Sequence, residues 1–551
     1  MNPTPSIAYF CMEYGLSETF PIYSGGLGVL AGDFIKSAHD LALPLVAVGL
    51  RWERGYCVQH IGPDGQPFNE FPGYDSSFLE DTGVRVRVRV RGAEVACAVK
   101  VTRRFGHAAL FLLEPVRDED RWITYRLYQA GTDVRIAQEM LLGIGGVRAL
   151  HWLGIPVSLY HFNEGHAVFA GVELIANRME VGMPFPQAWA DTRQRIVFTT
   201  HTPVTAGNEE HTMRDLRRMG ACLELSDAEM RALGGDPFNM TVAGLRLARR
   251  ANAVSALHAE TARAMWRPVT DSAPIVGIVN GVHASTWQAP AIRDAIAASG
   301  RDPARLWAAH VALKAELGQA IETLASERLD PDALWIGLAR RAAVYKRNDL
   351  ILRDEVRLDC LLESGRVCLV FSAKAHPDDL GGRPIVARLA RAQRQHPGRV
   401  VFIENYDMSI ARLMTRGCDV WLNNPVRPLE ASGTSGMKAA LNGLPNLSIL
   451  DGWWAEGCRP GVNGWAIGDE GAGEDARDST ALHDTIERQV LPAWADRGRW
   501  LAMMQSSIDV AAARFTSDRM VREYQARLYQ NAGPPLIERG PDRRSPRATG
   551  D

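Results

Sequence analysis

Residues 367–407 read VCLVFSAKAHPDDLGGRPIVARLARAQRQHPGRVVFIENYD, and this stretch indicates the fold class. It opens with an apolar run typical of a buried strand, VCLVFSA, which ends in polar residues. A helical pattern follows, and a second apolar run, VVFI, ends in ENYD. Strands that alternate with helices in this way are typical of a parallel sheet covered by helices.

The same alternation runs through both halves of the chain. Apolar runs that end in polar or glycine-containing segments are IAYFCMEYG, LVAVGLRW, SLYHFNEG, RIVFTTHTP and IVGIVNG, then LWIGLARR, VCLVFSAKAHP, VVFIENYD, VWLNNP and LSILDG. Helical patterns such as QEMLLGIGGVRALHWLG lie between them. The sequence therefore predicts two α/β units, each with its own parallel sheet.

Three segments depart from this rhythm. Between about 85 and 115, RVRVRVRGAEVACAVKV alternates strictly and predicts an antiparallel hairpin inserted in the first unit. A turn signal, ASGRDP, places the junction of the units near residues 284–305. The predicted domains are therefore 1–290 and 291–530. The remainder, 531–551, is rich in Pro, Gly and charge and is predicted to be a disordered tail.

Composition excludes several classes of protein. The composition, 46% hydrophobic and 23% charged, is that of an ordinary globular protein. A chain of 551 residues is too long to fold around a single hydrophobic core. The net charge of −2 gives no sign of a nucleic-acid or membrane surface. The eight cysteines form no CxxC pair, which argues against a zinc site or a disulfide framework and fits a reducing compartment. We expect a cytoplasmic protein with neither nucleic-acid nor membrane partners.

Polar side chains follow the predicted strands, where doubly wound folds bind their ligands. One such residue is more often a turn or cap than a functional group, but the pattern repeats at several strand ends. In the first unit the residues are His161, Asn163, Glu164, His166, His201, Thr202, Asn280 and His283; in the second they are Arg340, Arg341, Tyr345, Lys346, Lys374, His376, Glu404, Asn405 and Tyr406. The cations Arg340, Arg341, Lys346 and Arg347 are either a solvated helix start or an anion site.

Two glycine-rich stretches could bind anions through backbone N–H groups. SGGLGVLAGDFIKSAHDL (24–41) runs from a loop into a helix, without the spacing of a dinucleotide fingerprint. EASGTSGMKAALNG (430–443) places Lys438 one turn after a run of small residues and hydroxyls. Only six of the 62 basic residues are Lys, which favours a specific need for its deprotonatable amine. Such a loop beside a lysine suits pyridoxal phosphate, while a helix cap with a snorkelling lysine remains an alternative.

Several motifs, taken in order, resemble the α-glucan (glycogen or maltodextrin) phosphorylases, in particular their short bacterial and archaeal branch. The motifs are IAYFCMEYGLSETFPIYSGGLGVLAGD, HFNEGHAVF, VFTTHTPVTAGNEEH, VNGVHASTW, RRAAVYKR, VFIENYDMSIARLM, EASGTSGMKAALNG and LSILDGWWAEG. They cover roughly residues 6–530. The resemblance implies the GT-B architecture, in which two Rossmann-like domains with parallel sheets face a deep central cleft.

The resemblance also implies an activity. Such an enzyme cleaves non-reducing ends of α-1,4-glucan with inorganic phosphate, using pyridoxal 5′-phosphate, and gives α-glucose 1-phosphate with retention. The implied catalytic residues are Arg341, Lys346, His201 and Tyr345, and the implied cofactor ligands are Lys438, Thr434, Ser435 and Arg340. The implied substrate-binding residues are Gly26, Leu27, Asn163, Glu164, His166, Asn280, Tyr406, Glu430, Ser432 and Gly433. No metal is implied, and a homodimer is expected from the family alone.

The chain departs from the long enzymes of this family at three points. Arg340 stands where they have a lysine, GTSGMK replaces GTGNMK, and VYKR lacks a preceding His-Glu. Two other hypotheses stay open at this stage. A retaining glucosyltransferase that uses a sugar nucleotide would share the fold but has no need of an imine-forming Lys438. A catalytically silent glucan-binding protein would not need Arg341, Lys346 and Lys438.

Overall fold

The computed structural model describes residues 6–204, 208–297, 302–469, 471 and 473–537. Residues 298–301 of the predicted junction and 538–551 of the predicted tail lie outside this part of the chain. None of the helices in the described part is both long and apolar enough to cross a lipid bilayer.

The strands of the described chain are β1 (Ile7–Phe10), β2 (Leu45–Leu50), β3 (Val58–Ile61), β4 (Pro67–Glu70), β5 (Glu80–Val90), β6 (Ala93–Thr102), β7 (Ala109–Pro115), β8 (Leu159–Asn163), β9 (Ile196–Thr199), β10 (Glu210–His211), β11 (Phe238–Asn239), β12 (Arg250–Ala253), β13 (Ile275–Gly277), β14 (Leu334–Ala342), β15 (Val367–Ala375), β16 (Val400–Ile403), β17 (Val420–Asn423), β18 (Asn446–Ser448) and β19 (Gly464–Ala466).

The α-helices are α1 (Gly26–Asp40), α2 (Thr132–Met140), α3 (Gly146–Trp152), α4 (Val168–Glu180), α5 (Phe185–Arg193), α6 (Met213–Met219), α7 (Asp227–Gly234), α8 (Met240–Leu247), α9 (Ala256–Trp266), α10 (Ala284–Trp287), α11 (Pro290–Ala297), α12 (Pro303–Ala325), α13 (Glu355–Glu363), α14 (Gly382–Gln395), α15 (Met408–Gly417), α16 (Thr434–Leu441), α17 (Trp454–Gly457), α18 (Asp475–Thr485), α19 (Leu491–Ala495), α20 (Arg497–Arg514) and α21 (Ser517–Arg527).

The chain folds as two compact units. Unit 1 takes the described parts of Met1–Tyr56, Pro72–Ile278 and Met520–Asp551, and unit 2 takes those of Cys57–Phe71 and Val279–Arg519. The domains predicted from the sequence were continuous, whereas the short hairpin of β3 and β4 belongs to unit 2. There the side-chain amide of Gln59 donates to the carbonyl of Ala375 at 3.1 Å.

Unit 1 is built on a nine-stranded sheet with the order β13-β12-β9-β8-β1-β2-β7-β6-β5. The seven strands from β13 to β7 are parallel, and β6 and β5 extend the sheet as an antiparallel pair. Strand order reverses between β1 and β8, where Ile7 pairs with Leu159. Doubly wound sheets bind ligands outside the carboxyl ends of the strands at this reversal. The site of unit 1 is therefore expected just after Phe10 and Asn163.

Unit 2 is built on a six-stranded sheet with the order β16-β15-β14-β17-β18-β19, and all its pairs are parallel. The order reverses between β14 and β17, where Ile336 pairs with Val420. This reversal brings the ends of two strands together that are about eighty residues apart in sequence. The predicted α/β class, with two large parallel sheets, is confirmed.

Glycines in LGIGGVRAL allow a helical segment to pack closely on the sheet of unit 1. A π-helical turn at Leu141–Gly145 joins α2 to α3. A Cβ atom on Gly143 would lie 2.5 Å from the amide nitrogen of Ala170, and one on Gly146 would lie 2.5 Å from the ring of Phe10. A larger residue at position 143 would push this segment away from helix α4, and one at position 146 would push it away from the buried strand β1.

A buried charge cluster fixes one face of the sheet in unit 2. The Asp419 carboxylate accepts hydrogen bonds from Lys314 Nζ at 2.7 Å and from the amide of Trp335 at 2.7 Å. The Nε2 atom of His310 lies 2.8 Å from the other carboxylate oxygen. Burial alone would raise the pKa of Asp419, but Lys314 and His310 outweigh it, so the pKa lies below its usual value.

Replacement of Asp419 by Asn is expected to lower the free energy of unfolding by about 3 kcal/mol, because Lys314 is left buried without its counter-ion. Because the folded-state pKa of Asp419 is lowered, its contribution is present above a pH of about 4 and is lost as the pH falls further. Urea unfolding at several pH values measures both effects. The half-buried pair of Asp484 with Arg357 is the control, since Asp484→Asn should cost less than about 1 kcal/mol. Equal losses in the two variants would contradict this prediction.

Candidate active site

Arg340 joins the ends of β14 and β17 at the reversal point of unit 2. Its guanidinium donates to Oδ1 of Asn424 at 2.7 Å, to Oδ1 of Asn423 at 3.1 Å and to the carbonyl of Lys346 at 2.7 Å. Burial lowers the pKa of Arg340 to about 10. Its Nε atom is buried without a hydrogen-bond partner in the described chain. The guanidinium is thus fixed in place with one donor still available.

Lys346 and Glu430 form an ion pair beside Arg340. Nζ of Lys346 lies 2.6 Å from Oε2 of Glu430, and each side chain is 13% exposed. The ammonium also lies 5.0 Å from the centroid of the Tyr345 ring. Burial alone would raise the pKa of Glu430. The positive charges of Lys346 and Arg340 lower this pKa by more than burial raises it, so it lies below its usual value. Glu430 is therefore an ionised acceptor held among cations.

Asp451, which is not among the residues predicted from the sequence, fixes the backbone at Glu430. Its carboxylate accepts the amide of Glu430 at 2.9 Å and the amide of Gly452 at 2.8 Å. Burial raises the pKa of Asp451 to about 7. The signal was present in LSILDG, a strand that ends in an acid, but a single acid before glycine is typical of a turn.

The raised pKa of Asp451 gives a testable pH dependence. The folded protein keeps this proton to near pH 7, whereas an unfolded chain releases it near about pH 4. The contribution of Asp451 to the free energy of unfolding therefore falls as the pH rises through this interval. The Asp451→Asn variant should lack this dependence. Its free energy of unfolding minus that of wild type should therefore increase between about pH 5 and about pH 7.5. Urea unfolding tests this, and a constant difference would contradict it.

Helix α16 carries Lys438, the lysine predicted to hold the cofactor. Gly433 precedes the helix with a φ of 81°, in the left-handed region that favours glycine. Lys438 is buried, and its Nζ lies 3.7 Å from the centroid of the Trp287 ring. The hydroxyl of Ser432 is buried without a hydrogen-bond partner in the described chain. The hydroxyl of Ser435, by contrast, accepts the indole N–H of Trp421 at 3.2 Å.

The cation cluster of residues 340–347 is not the start of an α-helix. Only a short 3₁₀ turn forms there, at Val344–Lys346, and Arg347 turns inward and is 1% exposed. Arg347 donates to a carboxylate oxygen of Asp478 at 2.7 Å and is structural. Arg341 is exposed at the end of β14.

Two further predicted residues belong to unit 2. Tyr406 follows β16, and Asn280 lies near the start of the segment Val279–Arg519. Tyr406 is half-buried, and burial raises the pKa of its hydroxyl. Asn280 is buried, and its side-chain oxygen has no hydrogen-bond partner among the described residues. The Asn280 carbonyl accepts a hydrogen bond from Arg519 at 2.9 Å, which fixes its backbone.

Unit 1 brings three predicted residues together at the ends of β8 and β9. Glu164 has a φ of 74°, which is strained for a residue with a side chain. Its carboxylate accepts the amide of His201 at 2.5 Å and the hydroxyl of Thr202 at 3.1 Å. Nε2 of His201 lies 2.7 Å from Oδ1 of Asn163. Glu164 therefore holds the strand end that carries His201.

His201, which follows β9, and His166, which follows β8, are both neutral near pH 7. Burial lowers the pKa of His201 and of His166 to about 3. Nδ1 of His166 is buried without a hydrogen-bond partner in the described chain. Neutral imidazoles suit hydrogen bonds to sugar hydroxyls, because they add no charge to a buried site.

The glycine-rich loop of unit 1 leads into α1, which begins at Gly26. The first N–H groups of a helix, here those of Gly26 and Leu27, have no acceptor within the helix. A Cβ atom on Gly25 or on Gly26 would meet no atom within 4 Å, so this side of the loop is open. Ser24 and Gly25, by contrast, donate their N–H groups to the carboxylate of Glu13, a residue that was not predicted from the sequence.

Known phosphorylases are similar to this chain over nearly its whole length. Residues 300–456 match the family model described as Carbohydrate phosphorylase. The chain is 40% identical to the Maltodextrin phosphorylase of Thermococcus litoralis over 96% of its own length and 70% of that protein. It is 38% identical to the Glycogen phosphorylase of Mycobacterium bovis over 96% and 71% of the two chains. For the Glycogen phosphorylase of Aquifex aeolicus the identity is 34%, over 95% and 86%.

Proposed function

This chain belongs to the carbohydrate phosphorylase family, and from that premise we propose that it is an α-1,4-glucan phosphorylase. It would transfer the terminal glucose of glycogen or maltodextrin to inorganic phosphate, giving α-glucose 1-phosphate. The observation that supports this best is the cluster of Arg340, Lys346 and Glu430 in unit 2. It combines fixed cations for a phosphate with an ionised acceptor for sugar hydroxyls.

Pyridoxal 5′-phosphate fits the residues around α16. Lys438 offers a buried primary amine against an apolar ring, and this amine can attach the aldehyde covalently. The phosphate group would be held by Thr434 and Ser435, at the start of the helix, and by Arg340. The Nε atom of Arg340, which has no hydrogen-bond partner in the described chain, supports this assignment. When bound, the cofactor supplies a phosphate group that acts as an acid beside the substrate phosphate.

The residues of unit 2 would bind the reacting groups. Arg341 and Lys346 hold inorganic phosphate, with Tyr345 beside it, while the phosphate O–H gives its proton to the glycosidic oxygen. The C1–O bond breaks as positive charge develops on the sugar, and a phosphate oxygen then bonds to C1 on the same face. The charge on the phosphate, fixed by these cations, stabilises the developing oxocarbenium ion. Glu430, Ser432 and Gly433 would accept and donate hydrogen bonds to the sugar hydroxyls.

The remaining polar groups would orient the glucose ring. His201 of unit 1 is half-buried and Asn280 of unit 2 is buried, and each offers a neutral hydrogen-bonding group that suits a sugar hydroxyl. Gly26 and Leu27 would donate their N–H groups to substrate oxygens. The other predicted binding residues, Asn163, Glu164 and His166 in unit 1 and Tyr406 in unit 2, would also bind sugar hydroxyls.

The test is a coupled assay of purified protein with maltoheptaose and inorganic phosphate, read as glucose 1-phosphate formed, beside an absorbance spectrum for bound cofactor. We expect phosphate-dependent product and cofactor absorbance. A glucosyltransferase would instead consume ADP-glucose and show no cofactor absorbance. A silent binding protein would bind glucan and release no sugar phosphate. Either of these results would overturn the proposal.

The partners and the cellular location are also proposals. The partners are α-1,4-glucan and inorganic phosphate, and a homodimer is the expectation from the family. A cytoplasmic location is proposed because the eight cysteines form no CxxC pair in the sequence, which fits a reducing compartment.

A further inference from the structure

Glu13 is a buried carboxylate at the strand reversal of unit 1, and the proposed reaction leaves it without a role. It follows β1 and is 2% exposed. One of its oxygens, Oε2, accepts the amide of Ser24 at 2.6 Å and the amide of Gly25 at 3.3 Å. The hydroxyl of Ser24 donates to the same oxygen at 3.2 Å. A single side chain therefore collects three donors from the glycine-rich loop.

This carboxylate lies where a helix start attracts an anion. Helix α1 begins at Gly26, immediately after the residues that Glu13 binds. The N-terminus of a helix favours negative charge, and free backbone N–H groups there commonly bind anions. A Cβ atom on Gly28 would lie 2.5 Å from Oε2 of Glu13, so glycine at position 28 leaves room for the carboxylate. The chain thus places a carboxyl group of its own at this helix start.

Tyr128 fixes the other oxygen of Glu13. Its hydroxyl donates to Oε1 at 2.7 Å. The Tyr128 ring in turn lies 5.1 Å from the guanidinium carbon of Arg135, and Arg135 is paired with Glu209 at 2.8 Å. Both carboxylate oxygens are therefore held, one by the loop and one by a neighbouring aromatic residue that is itself fixed by an ion pair.

We propose that Glu13, oriented by Tyr128, is a positioning residue that holds the glycine-rich loop in the shape required for catalysis. By binding the N–H groups of Ser24 and Gly25, it leaves those of Gly26 and Leu27 for the substrate. The expected effect of Glu13 on turnover rests on the proposed function. It concerns a residue that touches the loop and not the reacting atoms.

The experiment compares Glu13→Ala and Tyr128→Phe with wild type by two measurements on the full chain. Hydrogen exchange of the loop amides reports whether the loop is held, without any need for activity. Steady-state kinetics with maltoheptaose and phosphate separate kcat from KM. The control is Glu173→Gln, because Glu173 is a buried carboxylate of the same unit that is paired with Arg148 at 2.7 Å on other elements.

The expected result is faster exchange at residues 22–30 in both variants and a lower kcat with little change in KM. We expect a loss of about 10²-fold for Glu13→Ala, since a displaced loop misplaces the substrate, and about tenfold for Tyr128→Phe. Glu173→Gln should lower thermal stability and leave kcat and loop exchange near wild type.

Unchanged exchange at residues 22–30, or a kcat equal to that of Glu173→Gln, would overturn the inference. A wild-type protein that forms no glucose 1-phosphate would instead refute the proposed function. In that case the exchange data alone decide whether Glu13 holds the loop. If Glu13→Ala fails to fold, Tyr128→Phe removes only one hydroxyl and still decides the outcome.

Discussion

Replacement of Lys438 by arginine is expected to abolish both the release of glucose 1-phosphate and the absorbance of bound pyridoxal phosphate. Arginine would keep a positive charge near the Trp287 ring, 3.7 Å from Nζ in the structure, but a guanidinium does not condense with an aldehyde. The rate should fall by about 10³-fold or more, because the variant loses the cofactor and with it the phosphate group that acts as an acid. Absorbance spectra and the coupled assay measure the two losses together.

The matched control is Lys314→Arg. Lys314 is also buried in unit 2 but pairs with Asp419 at 2.7 Å, outside the set assigned to the reaction. This variant should lose stability and keep its cofactor absorbance. If Lys438→Arg retains absorbance and turnover, Lys438 does not anchor the cofactor, and the account of α16 fails.

Replacement of Lys346 by alanine is the second large effect. It removes the ammonium that lies 2.6 Å from Glu430 and that is assigned to inorganic phosphate. We expect kcat/KM for phosphate to fall about 10²- to 10³-fold. Because Lys346 helps to keep the pKa of Glu430 low, that pKa should rise in the variant. The acid limb of the pH profile should then move to higher pH, since Glu430 is protonated sooner as the pH falls.

Initial rates over a range of phosphate concentration and pH test this second prediction. Lys346→Arg should recover part of the activity because it restores the charge. Arg357→Ala removes a cation of unit 2 that pairs with Asp484 at 2.8 Å, and it should leave the phosphate dependence unchanged. A phosphate dependence in Lys346→Ala like that of wild type would contradict the assignment.

The fold class could be predicted from the sequence because its signals are local. Each apolar run with a polar end, such as the one that ends at Lys374, is readable without knowing its neighbours. The hairpin of β3 and β4 could not be placed in unit 2 in this way. Its position depends on contacts such as that of Gln59 with Ala375, and these residues are more than three hundred positions apart.

The candidate site was predicted in part, for a related reason. Arg340 and Arg347 look alike in sequence, yet one lies at the strand reversal and the other is buried against Asp478. Which of the two serves a site depends on strand order, and spacing does not reveal strand order. Glu13 and Asp451 were missed because a lone acid near a glycine is usually a turn residue.

The measurement that tests the central proposal most directly is a ³¹P NMR time course of the wild-type protein with maltoheptaose and inorganic phosphate. The proposal predicts that the phosphate signal declines while α-glucose 1-phosphate grows in equal amount. A phosphate signal that stays constant, or a sugar phosphate with the β configuration, would contradict it.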